Sequence, residues 1–440
     1  MSRCQRVVTV VVGVMAWAAV ARGQEAGVQS RVAQYVDERD GLGLDAAIAR
    51  AVAREPSLRA DRTEIDVAHG LRRQAALRPN PMLRVERRDE PGGTDTLTAV
   101  GVEWPLDLFR RSGRVQAADR ALARAQLGVE DHARLLVAEV RLRYGAAAAA
   151  VREVAVTEDL VTAAQRQFDL VRARVDAGST PPLDRDLLEV EVRRLDAARL
   201  IALGRADVAV VELKQVLGMA PNETLRLHDP LDVLVASSVA DAAGVAAVTA
   251  EARPDVREAA ARVTLAEARI DQAHREGRFD VSLFGSYMRM DSGFAQQGVG
   301  TAGSLERVRG RFHYVSAGAA VTIPLLNRNQ GQVAAAEAER VGAEARREAL
   351  DLAARTEVAA AQARDAQARR AFHVYASGVR DQARQNLDVV QQTFDLGRAT
   401  VFDVLAEQRR YLEIEQGYIT AAREVWEARV ALTRAMGETK

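Results

Sequence analysis

The placement of proline sets what this chain can fold into. All 11 prolines lie at positions 56, 79, 81, 91, 105, 181, 182, 221, 230, 254 and 324, so residues 106–180 and 325–440 contain none. Proline removes a backbone N–H and clashes with the preceding helical turn, and these two gaps are therefore where very long helices can run. Arg114 to Asp176 spans 63 residues, roughly 95 Å at 1.5 Å per residue. Within it Val115, Leu122, Val129 and Leu136 recur every seven residues, and after a shift of four Val140, Ala147, Val154, Val161, Phe168 and Val175 do the same. Heptads interrupted by a four-residue stutter describe a coiled coil whose supercoil locally unwinds. Aromatic residues make up only 4% of the chain, too few rings to fill several large compact cores. Lys and Arg total 61, as do Asp and Glu, so no global field favours nucleic acid.

The second half repeats the first. Gly178, Asp184 and Gly218 correspond to Gly397, Asp403 and Gly437, all at an offset of 219, and Val102–Leu106 matches Val321–Leu325 at the same offset. Upstream, Pro56 and Arg59 match Pro254 and Arg257 at 198, which places a longer hairpin loop between residues 286 and 315. Each repeat reads as a short helix (Leu44–Glu55; near Val239–Ala252) and a medium helix (Pro56–Leu77; Asp255–Gly277). Two strands follow, Pro81–Arg88 with Leu97–Trp104 and Phe279–Met290 with Phe312–Ile323. The repeat ends in a long helix (Gly113–Asp176; Gly331–Asp395), a glycine turn and a returning helix (Leu183–Leu217; Phe402–Met436). Strands of ~9–11 residues suit a tilted membrane barrel. Four strands per chain leave two unpaired edges, which lipid does not tolerate. Three chains with twelve strands are the simplest symmetric closure.

The N-terminus reads as a secretory signal: Arg3 and Arg6, a 15-residue apolar run from Val7 to Ala21, then small residues. That run is short of the ~20 residues of a membrane-crossing helix. Cleavage after Gly23 is expected, with cleavage after Ala21 as the alternative, and Cys4, the one cysteine, leaves with the signal. The expected domains are the signal peptide over 1–23, an extension over 24–41, repeat 1 over 42–219, a linker over 220–244 and repeat 2 over 245–438. No catalytic constellation stands out. The six histidines show no ligand spacing, and Glu189/Glu191 and Glu413/Glu415, two apart, point to different helix faces. No catalytic residue, metal site or cofactor is expected.

Several segments together carry a family resemblance. They are Leu42–Pro56, Arg78–Pro81, Trp104–Leu108 followed by Gly113–Ala118, the turns Arg174–Gly178 with Asp184 and Phe394–Thr400 with Asp403, and the repeat ends Leu217-Gly218 and Met436-Gly437. In this order they resemble the TolC family of outer-membrane efflux proteins over residues 42–438. The resemblance implies a mainly α chain with a small β part, trimerising into a twelve-stranded outer-membrane β-barrel and a twelve-helix periplasmic tunnel. It implies a passive exit duct, not an enzyme, partnered by a periplasmic adaptor and an inner-membrane pump such as an RND transporter. The glycine turns would be the periplasmic tips, with Arg174, Gly178, Leu396, Gly397 and Arg398 contacting the adaptor. Asp184, Phe394 and Asp403 would form the tip gate, while an acid near the start of a returning helix leaves plain helix capping as the alternative for Asp184 and Asp403. Phe394 replaces a tyrosine of the best-known relative and Ala406 a second aspartate, so the gate is expected to be held differently here. Trp104 is the expected membrane-interface anchor, with simple packing at the barrel–helix joint as the alternative. The rival expectation is a secreted periplasmic coiled-coil scaffold or adaptor with no membrane strands.

Overall fold

A computed structural model describes residues 31–93, 95–240 and 252–437; the expected signal peptide lies outside them. The chain divides into two compact units, one within Met1–Arg59, His132–Thr249 and Arg355–Lys440, the other within Ala60–Asp131 and Ala250–Ala354. The elements run α1 (Leu44–Arg54), α2 (Pro56–Ala75), β1 (Met82–Asp89), β2 (Thr96–Pro105), α3 (Arg110–Asp176), α4 (Pro182–Val216) and α5 (Leu231–Ala240). Then come α6 (Pro254–Glu276), β3 (Asp280–Val299), β4 (Leu305–Thr322), α7 (Gln330–Val374), α8 (Arg380–Asp395) and α9 (Val401–Met436). No described helix is long and apolar enough to cross a membrane.

The first unit is helical. Along α3 the buried residues Val137, Val140, Tyr144, Ala147, Val151 and Val154 alternate steps of three and four, the a/d seam of a coiled coil. The seam contains the heptad positions Val140, Ala147 and Val154 read from the sequence. Its second long helix is not continuous. Tyr375–Val379 forms one π-type turn between α7 and α8, where Gly378 takes φ 119° and Ser377 leaves helical geometry. A single glycine supplies a backbone that side-chain-bearing residues avoid, and π turns inside helices release strain from an extra residue. The short helix expected near Val239–Ala252 lies mostly outside the described residues, which show α5 over Leu231–Ala240 before it.

The second unit carries a four-stranded antiparallel sheet in the order β1-β2-β3-β4. The second hairpin departs from expectation. β3 has 20 residues and β4 has 18, joined by a five-residue turn, so the extra sequence of repeat 2 lengthens strands rather than a loop. Register assigns side chains to faces, because neighbours across an antiparallel ladder share a face and alternate along each strand. One face carries the rows Trp104–Leu283–Ala319, Leu83–Val102–Gly285–Ala317 and Val85–Val100–Tyr287–Val315. The other carries Arg84–Gly101–Ser286–Ser316 and Met82–Glu103–Phe284–Gly318. On it Ser286 and Ser316 hydroxyls lie 2.7 Å apart and Ser282 Oγ donates to Glu103 Oε1 at 3.1 Å. This mixed face also lines a hollow with Arg84, Glu86, Glu103 and Ser286.

Candidate functional site: the hairpin tips

Helices α3 and α8 end in the same way. Gly178 (φ 72°) and Gly397 (φ 74°) sit one residue past each helix cap in the left-handed region. The Gly178 and Ser179 N–H groups donate to Val175 O and Arg174 O, both at 2.9 Å. The Gly397 and Arg398 N–H groups donate to Phe394 O and Thr393 O, again at 2.9 Å. This pair of bonds is the Schellman closure, which satisfies the last carbonyls of a helix and favours glycine. Two tips of one geometry follow from the repeat.

Their first returning turns are not alike. On α9, Thr400 and Asp403 form a capping box. The Thr400 N–H donates to Asp403 Oδ2 at 2.8 Å, and the Asp403 N–H donates to Thr400 Oγ1 at 3.3 Å. On α4 the residue at the Thr400 position is Pro181, which has no N–H to offer, and no side-chain cap forms at Asp184. Capping thus explains Asp403 but not Asp184. The Thr400 hydroxyl, then its N–H, hold the Asp403 carboxyl below the usual carboxylate range. A carboxyl depressed on folding contributes stability present above its unfolded pKa and lost as pH falls through the folded value. The cap should therefore persist at neutral and mildly acidic pH and fail only below about pH 4. Amide-exchange protection in the first turn of α9 measures this, and Asp403→Asn should remove the pH dependence. Protection already lost near pH 6 would contradict it.

Behind the turns the two hairpins share a core. Phe394 is 6% exposed and packs with Val171, Leu188, Val401, Val404 and Leu405. Arg174, from α3, reaches the end of α8: its Nη2 donates to Asp395 O at 2.8 Å and its guanidinium carbon lies 5.6 Å from the Phe394 ring centre. A cation at a helix C-terminus meets the negative end of the helix dipole. Thus Arg174 and Phe394 come together, Asp184 stands apart from them in the α4 turn, and Leu396, Gly397 and Arg398 are exposed. Leu396 is 74% exposed. Two apolar residues that the reading of the sequence passed over join it at the apices, Leu183 at 60% and Phe402 at 62% exposed. They occupy equivalent positions in the two repeats, and that equivalence was the available signal.

Trp104 lies at the helix-proximal end of the aliphatic sheet face, partly exposed, with Nε1 donating to Pro79 O at 3.1 Å. Among the described residues no group of three His, Cys, Asp or Glu is placed to hold a metal ion.

Comparison with known proteins agrees with this architecture. A family model described as outer membrane efflux protein matches residues 47–219 and 247–438. The cobalt-zinc-cadmium resistance protein CzcC of Cupriavidus metallidurans is 24% identical over 404 residues, covering 90% of each chain. Among solved structures, CusC superposes with a TM-score of 0.71 at 19% identity, covering 90% of this chain and 92% of its own. The outer membrane protein VceC of Vibrio cholerae superposes with a TM-score of 0.66 at 17% identity, covering 90% and 96%.

Proposed function

The chain belongs to the outer membrane efflux protein family, and from that premise we propose that it is the exit duct of a tripartite efflux system. It sits in the outer membrane with a large periplasmic portion and conducts solutes passively, without catalysis. One observation carries the reading: a four-stranded sheet with one aliphatic face and two edges, β1 and β4, that no other described strand covers. An open edge leaves backbone N–H and C=O groups unpaired, which is untenable in hydrocarbon. Identical neighbours supply the missing partners, β4 of one protomer beside β1 of the next, and three copies close twelve strands. The aliphatic face turns to lipid and the mixed face to a wet lumen.

The tips are where the duct meets its partners. Exposed Leu183, Leu396 and Phe402 offer apolar contacts to a periplasmic adaptor, with Gly178, Gly397 and Arg398 setting the shape of the apices. Arg174 and Phe394 hold the two hairpins of a protomer together behind them, so adaptor engagement would open the duct by parting this core. Energy and cargo choice belong to the inner-membrane pump and adaptor.

The test uses the full chain extracted from outer membranes in detergent. Its mass should correspond to three protomers, and it should form conducting pores in planar bilayers. A stable monomer, or release as a soluble protein on mild lysis, overturns the duct.

A further inference from the structure

The aliphatic sheet face does not end in neutral residues. Beyond its last aliphatic row, Val85–Val100–Tyr287–Val315, the next row on the same face is Arg87–Thr98–Arg289–His313, and the one after it is Asp89–Thr96–Asp291–Arg311. Arg309, opposite Gly293, extends the series. Four arginines thus face two aspartates. Asp89 is held by Arg87 at 3.0 Å, while Asp291 is shared between Arg289 at 2.9 Å and Arg311 at 2.7 Å. The side chains of Arg309 and Arg311 are exposed. His313 Nδ1 and the Tyr287 hydroxyl lie 2.6 Å apart at the boundary between aliphatic and charged rows.

The height of this boundary is informative. Val281 to Arg289 is eight residues, roughly 27 Å along the strand or ~20 Å after the tilt of an outer-membrane barrel, and Arg311 and Arg309, opposite Asp291 and Gly293, lie ~5 and ~10 Å further on, so the arginine rows straddle the edge of an apolar band ~25 Å tall. The strand ends that join helices lie on the periplasmic side, so these rows lie toward the hairpin turns, at the level of the outer-leaflet headgroups. A cationic row directly continuous with a lipid-facing aliphatic band has one fitting occupant: a lipid whose acyl chains cover the band and whose phosphates meet the guanidinium groups, which bind phosphate oxygens in bidentate fashion. We propose that Arg87, Arg289, Arg309 and Arg311 form a belt that binds phosphate-bearing lipid headgroups in the outer leaflet. This rests on the barrel reading above.

Native mass spectrometry of the detergent-solubilised full-length protein tests it, because each spectrum also reports the oligomer. The probes are bisphosphorylated lipid A and its dephosphorylated form, which share acyl chains. The unaltered trimer should retain the bisphosphorylated lipid at ten-fold or lower concentration than the other. Arg309→Ser with Arg311→Ser should weaken that binding roughly 30-fold and leave the dephosphorylated lipid unaffected. Arg84→Ser, on the opposite face, should change neither, and inorganic phosphate at equal concentration should not displace the lipid. Equal retention of both lipids, an equal loss with Arg84→Ser, or displacement by inorganic phosphate would overturn the belt. Spectra lacking a trimer would overturn the barrel reading instead, and the belt with it.

Discussion

Phe394→Ala should loosen the tips by about 3–5 kcal/mol, the usual cost of emptying a buried phenylalanine site. The ring belongs to a cluster with Val171, Leu188, Val401, Val404 and Leu405, against which Phe168, Val175, Leu187, Val390 and Ala399 pack, and interiors packed this closely relax only partly into a vacated site. Arg174 would lose the ring beneath its guanidinium but keep its bond to Asp395 O. In a duct closed at its tips, the expected result is a trimer of normal mass with higher or more frequently open single-channel conductance in planar bilayers. Cells carrying it should become more sensitive to bulky antibiotics that normally stay outside. Phe394→Leu, which keeps most of the apolar volume, should fall near the unaltered protein. Trimers of Phe394→Ala that conduct as the parent does would show that this core is not what keeps the tips together.

The second large effect lies at Glu415. Its side chain is 1% exposed, and its Oε1 accepts from Arg380 Nε at 2.8 Å and from the Tyr411 hydroxyl at 3.2 Å. Arg152 stands 3.7 Å from Oε2. Arg380 also lies 4.5 Å from the centre of the Tyr418 ring. Arg380→Ala should therefore destabilise the helical unit by about 2–3 kcal/mol, because it removes a charge-assisted hydrogen bond from a buried carboxylate and leaves it only the more distant Arg152 and the Tyr411 hydroxyl. Arg380→Ala with Glu415→Gln should recover much of the loss, since the amide carries no charge to leave unpaired. Denaturant unfolding of the four proteins completes the double-mutant cycle. If the single variant costs less than ~1 kcal/mol, or the second change adds to the damage, the ion pair is not what matters there.

Arg380 follows directly on the π turn, and Tyr375 within that turn approaches Gly417 so closely that a Cβ there would lie 2.7 Å from its hydroxyl. The break in the second long helix is therefore built around α9. Ser377-Gly378 is a local signal of it, since such pairs mark turns and helix kinks, but the pair alone does not fix the outcome in a segment whose pattern is otherwise helical. Only the facing helix, some forty residues away in sequence, makes the extra turn the better packing. Glu415 was similarly opaque, since a glutamate in a charged helix reads as solvated until its partners are in place.

The length of the second hairpin was missed for another reason. Past Met290 the segment is rich in Gly, Ser and Gln and loses its alternation, and such residues suit a loop. In the structure the ladder continues to Val299 and Leu305, with one irregularity between Gly293 and Gln297, because backbone hydrogen bonding asks for no side-chain period once two strands already run in register. At the tips the opposite holds. Gly178 and Gly397 declared two left-handed turns, but the unequal caps depended on Pro181 standing where Thr400 stands, a difference legible only by aligning the repeats.

What the sequence determined by itself was whatever depends on short-range period or backbone chemistry. That comprises the coiled-coil seam, the duplication, the four strands and the glycine tips. Apart from the duplication, which comes from comparing the two halves, those signals are confined to a few residues and survive without knowledge of neighbours. Tertiary structure decided where the helix breaks, which carboxylate is buried, how far the strands run and which arginines align in rows across the sheet. Each of these is set by a contact between distant segments, whose free energy exists only once the chain has brought them together.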